Sequence, residues 1–190
     1  MGIPALNEFC LVDGTVLSLK YGHRSSIDLD LFYHQKFDHQ MVVNVLENHF
    51  GKRFTFKQQH TKFGIFCFID NVKVDMVYFP HQPISKYIIE DNIRMYHSAD
   101  IAAMKIQAIL GRAQKKDFWD LHELLQHFTL QQIMDWHKQK YPTQMLAISI
   151  PHAVTYYIDA EDSETPTSYK GQTWSQIKRD ISKIVSDYLR

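Results

Sequence analysis

The chain has 190 residues, 45% of them hydrophobic, with 21 basic and 21 acidic side chains and so no net charge. That length buries one good core plus a helical extension and leaves little room for two full domains, and zero net charge excludes a whole-surface attraction to nucleic acid, so any such contact needs a local patch. Cys10 and Cys67 lack CxxC spacing, no basic-then-apolar leader opens the chain, and no apolar run approaches the roughly 20 residues that span a bilayer, so a cytoplasmic protein with reduced thiols and no membrane contact is expected.

In chain order, "EFCLVDG" predicts a short strand ending at Gly14, and "TVLSLKYG" a helix with Val16, Leu19 and Lys20 on neighbouring turns. "SIDLDLFY" reads as a strand into which Asp28 and Asp30 are set. "FDHQMVVNVLENHFGK" follows as an amphipathic helix with Met41, Val42, Val45, Leu46 and Phe50 on one face and Gly51 as its stop. The period then changes. "RFTFKQQH", "KFGIFCFID" and "VKVDMVYFP" read as strands, the last two a hairpin turning at Asp70-Asn71. From Asp100 the pattern is helical to the end: "DIAAMKIQAILGR", "KDFWDLHELLQHF", "TLQQIMDWHKQKY", a helix near 143–155, and "TWSQIKRDISKIVSDYL". The break at Gly111 and the segment "DAEDSETPTSYKGQ" are the loop signals. The fold class is α+β: a mixed sheet flanked by helices over 1–98, then a helical C-terminal part over 99–190 packed on it, the two forming separate units or one continuous domain.

Chemistry concentrates in the acids. On a strand, side chains two apart share a face, so Asp28 and Asp30 project together while Leu29 and Leu31 face the core. Asp75 interrupts "VKVDMVYF" in the same way, opposite Val72, Val74, Met76 and Tyr78. If the two strands are neighbours, three carboxylates converge and call for a multivalent cation; hard oxygen ligands suit Mg²⁺ or Mn²⁺ better than zinc. The competing reading is a half-exposed strand with solvated aspartates. Gly14-Thr15 opens a helix just upstream, which is either a seat for phosphate oxygens or a plain helix cap. In the later helix, Lys105, Ala108 and Arg112 share a face, where both cations either reach a triphosphate or meet water. Asp117 and Asp120, three apart, form a face that ion pairs with Lys115, Lys116 and Arg112 would also explain.

The segments "LVDGTVLSLKYGHRSSIDLDLF", "VKVDMVYFP", "DIAAMKIQAILGRAQKKDFWDLHELL" and "YYIDAED" together resemble, in order and spacing, the AbiEii/AbiGii toxin family of nucleotidyltransferases, in the DNA polymerase beta-like superfamily. The resemblance runs from about residue 9 to about residue 180. It implies a nucleotidyltransferase-type mixed sheet followed by helices, a nucleoside triphosphate substrate, Mg²⁺ or Mn²⁺, an RNA acceptor such as tRNA, and a cognate antitoxin. It also implies roles: Asp28, Asp30 and Asp75 as metal ligands and catalytic acids, joined in catalysis by Lys105 and Asp120. Gly14, Thr15, Ser26, Lys105, Arg112 and Asp117 fall at nucleotide-binding positions. Asp13 departs from the pattern, standing where many relatives carry a second glycine, and an anion there weakens nucleotide binding unless it turns away.

Other site types are excluded. In "HELLQH", His122 and His127 lie about 140° apart around a helix and cannot share one metal in the HExxH manner. The chain has no GxxxxGK[ST], GxGxxG or GxSxG. Two function classes remain: a transferase acting on RNA, gripped by "KQQHTK" and "GRAQKK", or on protein; and a catalytically weakened nucleotide- or partner-binding module, for which Asp13 is the sequence feature.

Overall fold

The computed structural model describes residues 2–57 and 63–190. Seven strands form one mixed sheet: β1 (Cys10–Leu11), β2 (Leu29–Tyr33), β3 (Phe54–Phe56), β4 (Gly64–Ile69), β5 (Val72–Tyr78), β6 (Ile88–Glu90) and β7 (Ile93–Met95), in the order β3-β4-β5-β2-β1-β7-β6. The pairs β2–β5 and β1–β7 are parallel; the others are antiparallel. The fold is α+β.

Two tight turns rest on the same chemistry. Asp70 (φ 50) and Asn71 (φ 65) join β4 to β5, and Asp91 (φ 49) and Asn92 (φ 63) join β6 to β7. Asp and Asn tolerate this left-handed backbone because their short side chains bond locally. The first hairpin was expected; the second, its strands only three residues long, has too little alternation to show.

Helices α1 (Asp13–Tyr21) and α2 (His39–Phe50) belong to the sheet region, and α3 (Ser98–Gly111), α4 (Lys115–Leu124), α5 (Leu130–Lys140), α6 (Ile150–Ala153) and α7 (Trp174–Tyr188) follow it. Side-chain caps fix several starts: Asp38 accepts from the amide of Met41 at 3.0 Å, and Thr129/Gln132 and Thr173/Gln176 form reciprocal capping boxes on α5 and α7. The helix expected near 143–155 shrinks to the single turn of α6. Pro142 stops the preceding helix, and Met145, Leu146 and Ile148 lie exposed, so no apolar face is there to be buried.

Val42, Val43 and Leu46 of α2 cover one face of the sheet over Ile65, Val74 and Met76. The larger core lies on the other side and runs from Cys10, Leu11 and Val16 through Ile101, Ile106, Phe118 and Leu121 to Ile177, Ile181 and Val185. Among the described residues no helix is long and apolar enough to cross a membrane.

Candidate active site

Strands β2 and β5 lie side by side, Leu29 against Val74, Asp30 against Asp75 and Leu31 against Met76. Alternation sends Leu29, Leu31, Val74 and Met76 toward the α2 core, which leaves Asp30 and Asp75 together on the opposite face. Asp28, one residue ahead of β2, lines with Asp30 a cleft of about 310 Å³ whose other walls are Asp13, Arg24 to Ile27, Lys116 and the segment Glu164 to Thr167. Asp75 lies one strand beyond this lining. Among the described residues no three His, Cys, Asp or Glu side chains are grouped so as to hold a metal ion. The expected cup of Asp28, Asp30 and Asp75 is therefore open: Asp28 precedes the paired part of β2, and the ammonium of Lys73 bonds Asp75 Oδ2.

The donor chemistry nonetheless fits a cation. Asp75 Oδ1 is buried without a hydrogen-bond partner. Burial first, then the charges of Asp13 and Asp75, push Asp30 from 3.8 up to about 6. An orphaned carboxylate oxygen beside an acid that resists ionising marks a place short of positive charge. Around Lys73, burial opposes the charge, but the hydrogen bond and ion pair with Asp75, and the charges of Asp30 and Asp28 behind it, hold the ammonium above its ordinary value.

A raised carboxylate pKa has a definite sign. Folded Asp30 keeps its proton to higher pH than the unfolded chain does, so its contribution favours the fold at low pH and is lost as pH rises from about 4 to about 6. Asp30→Asn removes that loss. In urea titrations the variant is expected to gain stability relative to the parent between pH 4.5 and pH 7; an unchanged difference between the two pH values would show Asp30 titrating normally.

At the start of α1 the structure reassigns several expected binding residues. Gly14 was expected to let a phosphate approach, but the nearest group is the chain's own arginine: a Cβ at Gly14 would lie 2.0 Å from Arg24 Nη2. The hydroxyl of Thr15 donates to the carbonyl of Asp28 at 2.5 Å and meets Ser26 Oγ at 2.9 Å, so both hydroxyls fasten the 26–28 segment to α1. Asp13 has φ 63, a backbone that glycine adopts without strain, and its carboxylate pairs with Lys105 Nζ at 2.6 Å and accepts from the amide of Gly14. It has turned inward, as the departure required, though it still borders the cleft.

Lys105 was expected on a surface facing a triphosphate and is instead fully buried, held by Asp13, by Asp120 Oδ2 at 2.8 Å and by Asp117 Oδ1 at 3.2 Å. Asp120, also fully buried, receives Arg24 Nε and Nη2 at 2.7 Å each and His23 Nε2 at 2.7 Å. Burial disfavours its charge, but the Lys105 ammonium and the hydrogen bonds from His23 and Arg24 outweigh it and hold the carboxyl far below the usual range. Arg112 is half exposed and grips Asp117 through Nε and Nη2, both at 3.2 Å. Lys105, Asp117 and Asp120 thus form a buried ionic lattice behind the cleft and do not line it; a periodic pattern cannot show this, because the partners come from distant parts of the chain.

Sequence reasoning passed over three contributors. His23 and Arg24, inside the segment quoted above, carry no periodic signal because they follow the Gly22 turn (φ 56). The segment 163–169, read only as a loop, pairs backbone to backbone with 23–25: the amide of Ser25 donates to Thr167 at 2.9 Å and that of Tyr169 to His23 at 3.0 Å. Lys115 Nζ ties it down through the carbonyls of Glu161 and Ser163 at 2.7 and 2.9 Å. Within "GRAQKK", Arg112 and Lys115 are therefore engaged, while Lys116 faces the cleft. Most of "KQQHTK" lies outside the described residues.

The family model described as nucleotidyl transferase AbiEii toxin, type IV toxin–antitoxin system, matches residues 7–146. The chain belongs to this family. It is a toxin-family nucleotidyltransferase. It is also similar to an uncharacterised protein of Aquifex aeolicus strain VF5, 26% identical over 96% of this chain and 89% of that one. Among solved structures, JHP933 of Helicobacter pylori superposes with a TM-score of 0.60 at 17% identity, over 96% of this chain and 84% of that one. MenT4, a nucleotidyltransferase toxin of Mycobacterium tuberculosis H37Rv, gives 0.59 at 14% identity, over 95% and 76%. A further H. pylori protein, described as a candidate nucleotidyltransferase, gives 0.61 at 16%, over 98% and 91%. At such identities the three structures establish the shared fold.

Proposed function

We propose that this AbiEii-family chain moves a nucleoside monophosphate from a nucleoside triphosphate to an RNA acceptor such as tRNA, with a divalent cation, Mg²⁺ or Mn²⁺, held by Asp30 and Asp75 together with Asp28. As a toxin it would act in the cytoplasm and be neutralised by a cognate antitoxin protein. The observation that carries the reading is the in-register pair Asp30 and Asp75 beside a polar cleft of about 310 Å³, with one Asp75 oxygen lacking a partner. When bound, a divalent cation would neutralise triphosphate charge and orient the α-phosphorus. The chain's own part is positional: Thr15 and Ser26 hold the backbone that presents Asp28, the Arg24–Asp120 fork fixes the turn leading into it, and Lys116 brings a cation to the rim.

A second reading, a weakened nucleotide-binding module, is favoured by Asp13, whose carboxylate accepts the Gly14 amide that a phosphate would otherwise use. One experiment separates them. The chain is incubated with total RNA, divalent cation and a panel of α-labelled nucleoside triphosphates, alongside Asp28→Asn and Asp13→Gly. The transferase reading expects label in RNA, reduced at least about 100-fold in Asp28→Asn. Label appearing only with Asp13→Gly would establish the module reading, and label moving into protein would change the acceptor.

A further inference from the structure

Lys73 and Asp75 stand two residues apart on β5, so their side chains leave the sheet on the face that also carries Asp30, and the Lys73 ammonium is bonded to Asp75 Oδ2. Three nearby cations are committed elsewhere. Lys105 serves Asp13, Asp117 and Asp120; Arg112 serves Asp117; Arg24 serves Asp120. On the other side of Asp75 the partner in β4 is Phe66, which offers no charge. The positive charge paired with Asp75 among the described residues is thus Lys73 alone, and it satisfies one oxygen while Oδ1 stays without a partner. The Lys73 side chain is 43% exposed, against 14% for Asp75, so the ammonium can swing into water without disturbing the core.

The geometry points to Lys73 as a tethered counter-ion that competes with a divalent cation for the Asp75 carboxylate. The inference rests on the reading that Asp30 and Asp75 hold such a cation. In its absence Lys73 keeps Asp75 paired, so the two facing acids of β2 and β5 fold without full mutual repulsion. For a cation to use Asp75, the ammonium must give up its hydrogen bond and turn outward, where it remains as a repelling like charge. Both effects act in one direction: Lys73 lowers the site's affinity for divalent cations and sets a concentration threshold for occupancy. An arginine at the same place would press harder, because its planar fork can cover both carboxylate oxygens at once.

The test is Mn²⁺ binding to the full chain without nucleotide, followed by the free-ion EPR signal, for the parent, Lys73→Met and Lys73→Arg, with thermal unfolding to confirm that each is folded. The expected order of Kd is Lys73→Met lowest, by roughly three- to tenfold, then the parent, with Lys73→Arg highest. Equal or weaker binding by folded Lys73→Met, with the parent binding normally, overturns the competition while leaving the metal reading intact. Should Lys73→Met fail to fold, Lys73→Arg decides: binding equal to or tighter than the parent's overturns the inference, and weaker binding supports it. If neither the parent nor any variant binds Mn²⁺, the metal reading itself falls, and this inference with it.

Discussion

Lys105→Met is expected to lower the free energy of unfolding by about 3–5 kcal/mol, read from urea titrations at neutral pH. The side chain is fully buried and its ammonium touches three carboxylates, of which Asp117 and Asp120 are themselves fully buried. Methionine fills the volume but removes the charge. Among the described residues, Asp13, Asp117 and Asp120 then face one another with Arg24, the half-exposed Arg112 and the His23 hydrogen bond to Asp120 as what remains to offset their charge. Removing one member of a buried ionic group leaves the others uncompensated where water cannot reach them, which is why the loss exceeds that of a surface pair. The pH dependence follows with a definite sign. Asp13 and Asp120 have folded pKa values held below the ordinary 3.8, so their contribution is present above that value and lost as pH falls beneath it. Lys105→Met removes the cation that holds those values down, so its destabilisation should be largest near neutral pH and shrink as pH falls and the uncompensated carboxylates take up protons. If the ammonium served chiefly a bound triphosphate, the variant would keep its stability and lose nucleotide affinity alone, and that result would reject the structural role given to Lys105 here.

What the residues disclosed by themselves follows from how far each signal reaches along the chain. The placement of Asp30 and Asp75 on one face was legible because strand alternation is local, and the apolar partners Leu29, Leu31, Val74 and Met76 declare which side is core. That the two acids lie directly opposite each other was not, since register between β2 and β5 depends on everything that folds between them. The same limit explains Lys105. Its helix shows the right period, yet α3 is buried on most of its surface, and a cation with partners in α1 and α4 looks, in a one-dimensional pattern, like one that faces water. Lys73 stood in plain view two residues before Asp75, but only the folded chain shows it bonded there, with no second cation joining it among the described residues. The segment 163–169 is the clearest omission: its Asp, Glu, Ser, Thr and Pro content correctly marks a loop, and composition says nothing of which cleft a loop will wall.

Gly14→Ala is the second large effect expected, and its cause distinguishes two uses of a glycine at a helix start. An added Cβ would sit 2.0 Å from Arg24 Nη2, 3.1 Å from its Cζ and 3.2 Å from Asp120 Oδ2. A flexible arginine would simply move. This one is pinned, with Nε and Nη2 both on Asp120 at 2.7 Å and Nη1 on the carbonyl of Ser25 at 2.8 Å, so yielding means breaking a bidentate bond inside a buried lattice. Overpacking alone costs about 1–3 kcal/mol, and partial loss of the Arg24–Asp120 fork adds to it, so a total of about 2–4 kcal/mol is expected in urea titrations. The turn carrying Ser25 to Asp28 would shift with the arginine, and transfer activity should fall along with stability. A double-mutant cycle assigns the cause. In an Arg24→Ala background the two nearest atoms are gone and Asp120 Oδ2 at 3.2 Å is left as the close neighbour, so Gly14→Ala should then cost much less stability. If the alanine costs as much with Arg24 absent as with it present, the glycine is needed for something other than the arginine's approach, and the close contact of a phosphate with the start of α1 becomes the better account of why no side chain stands there.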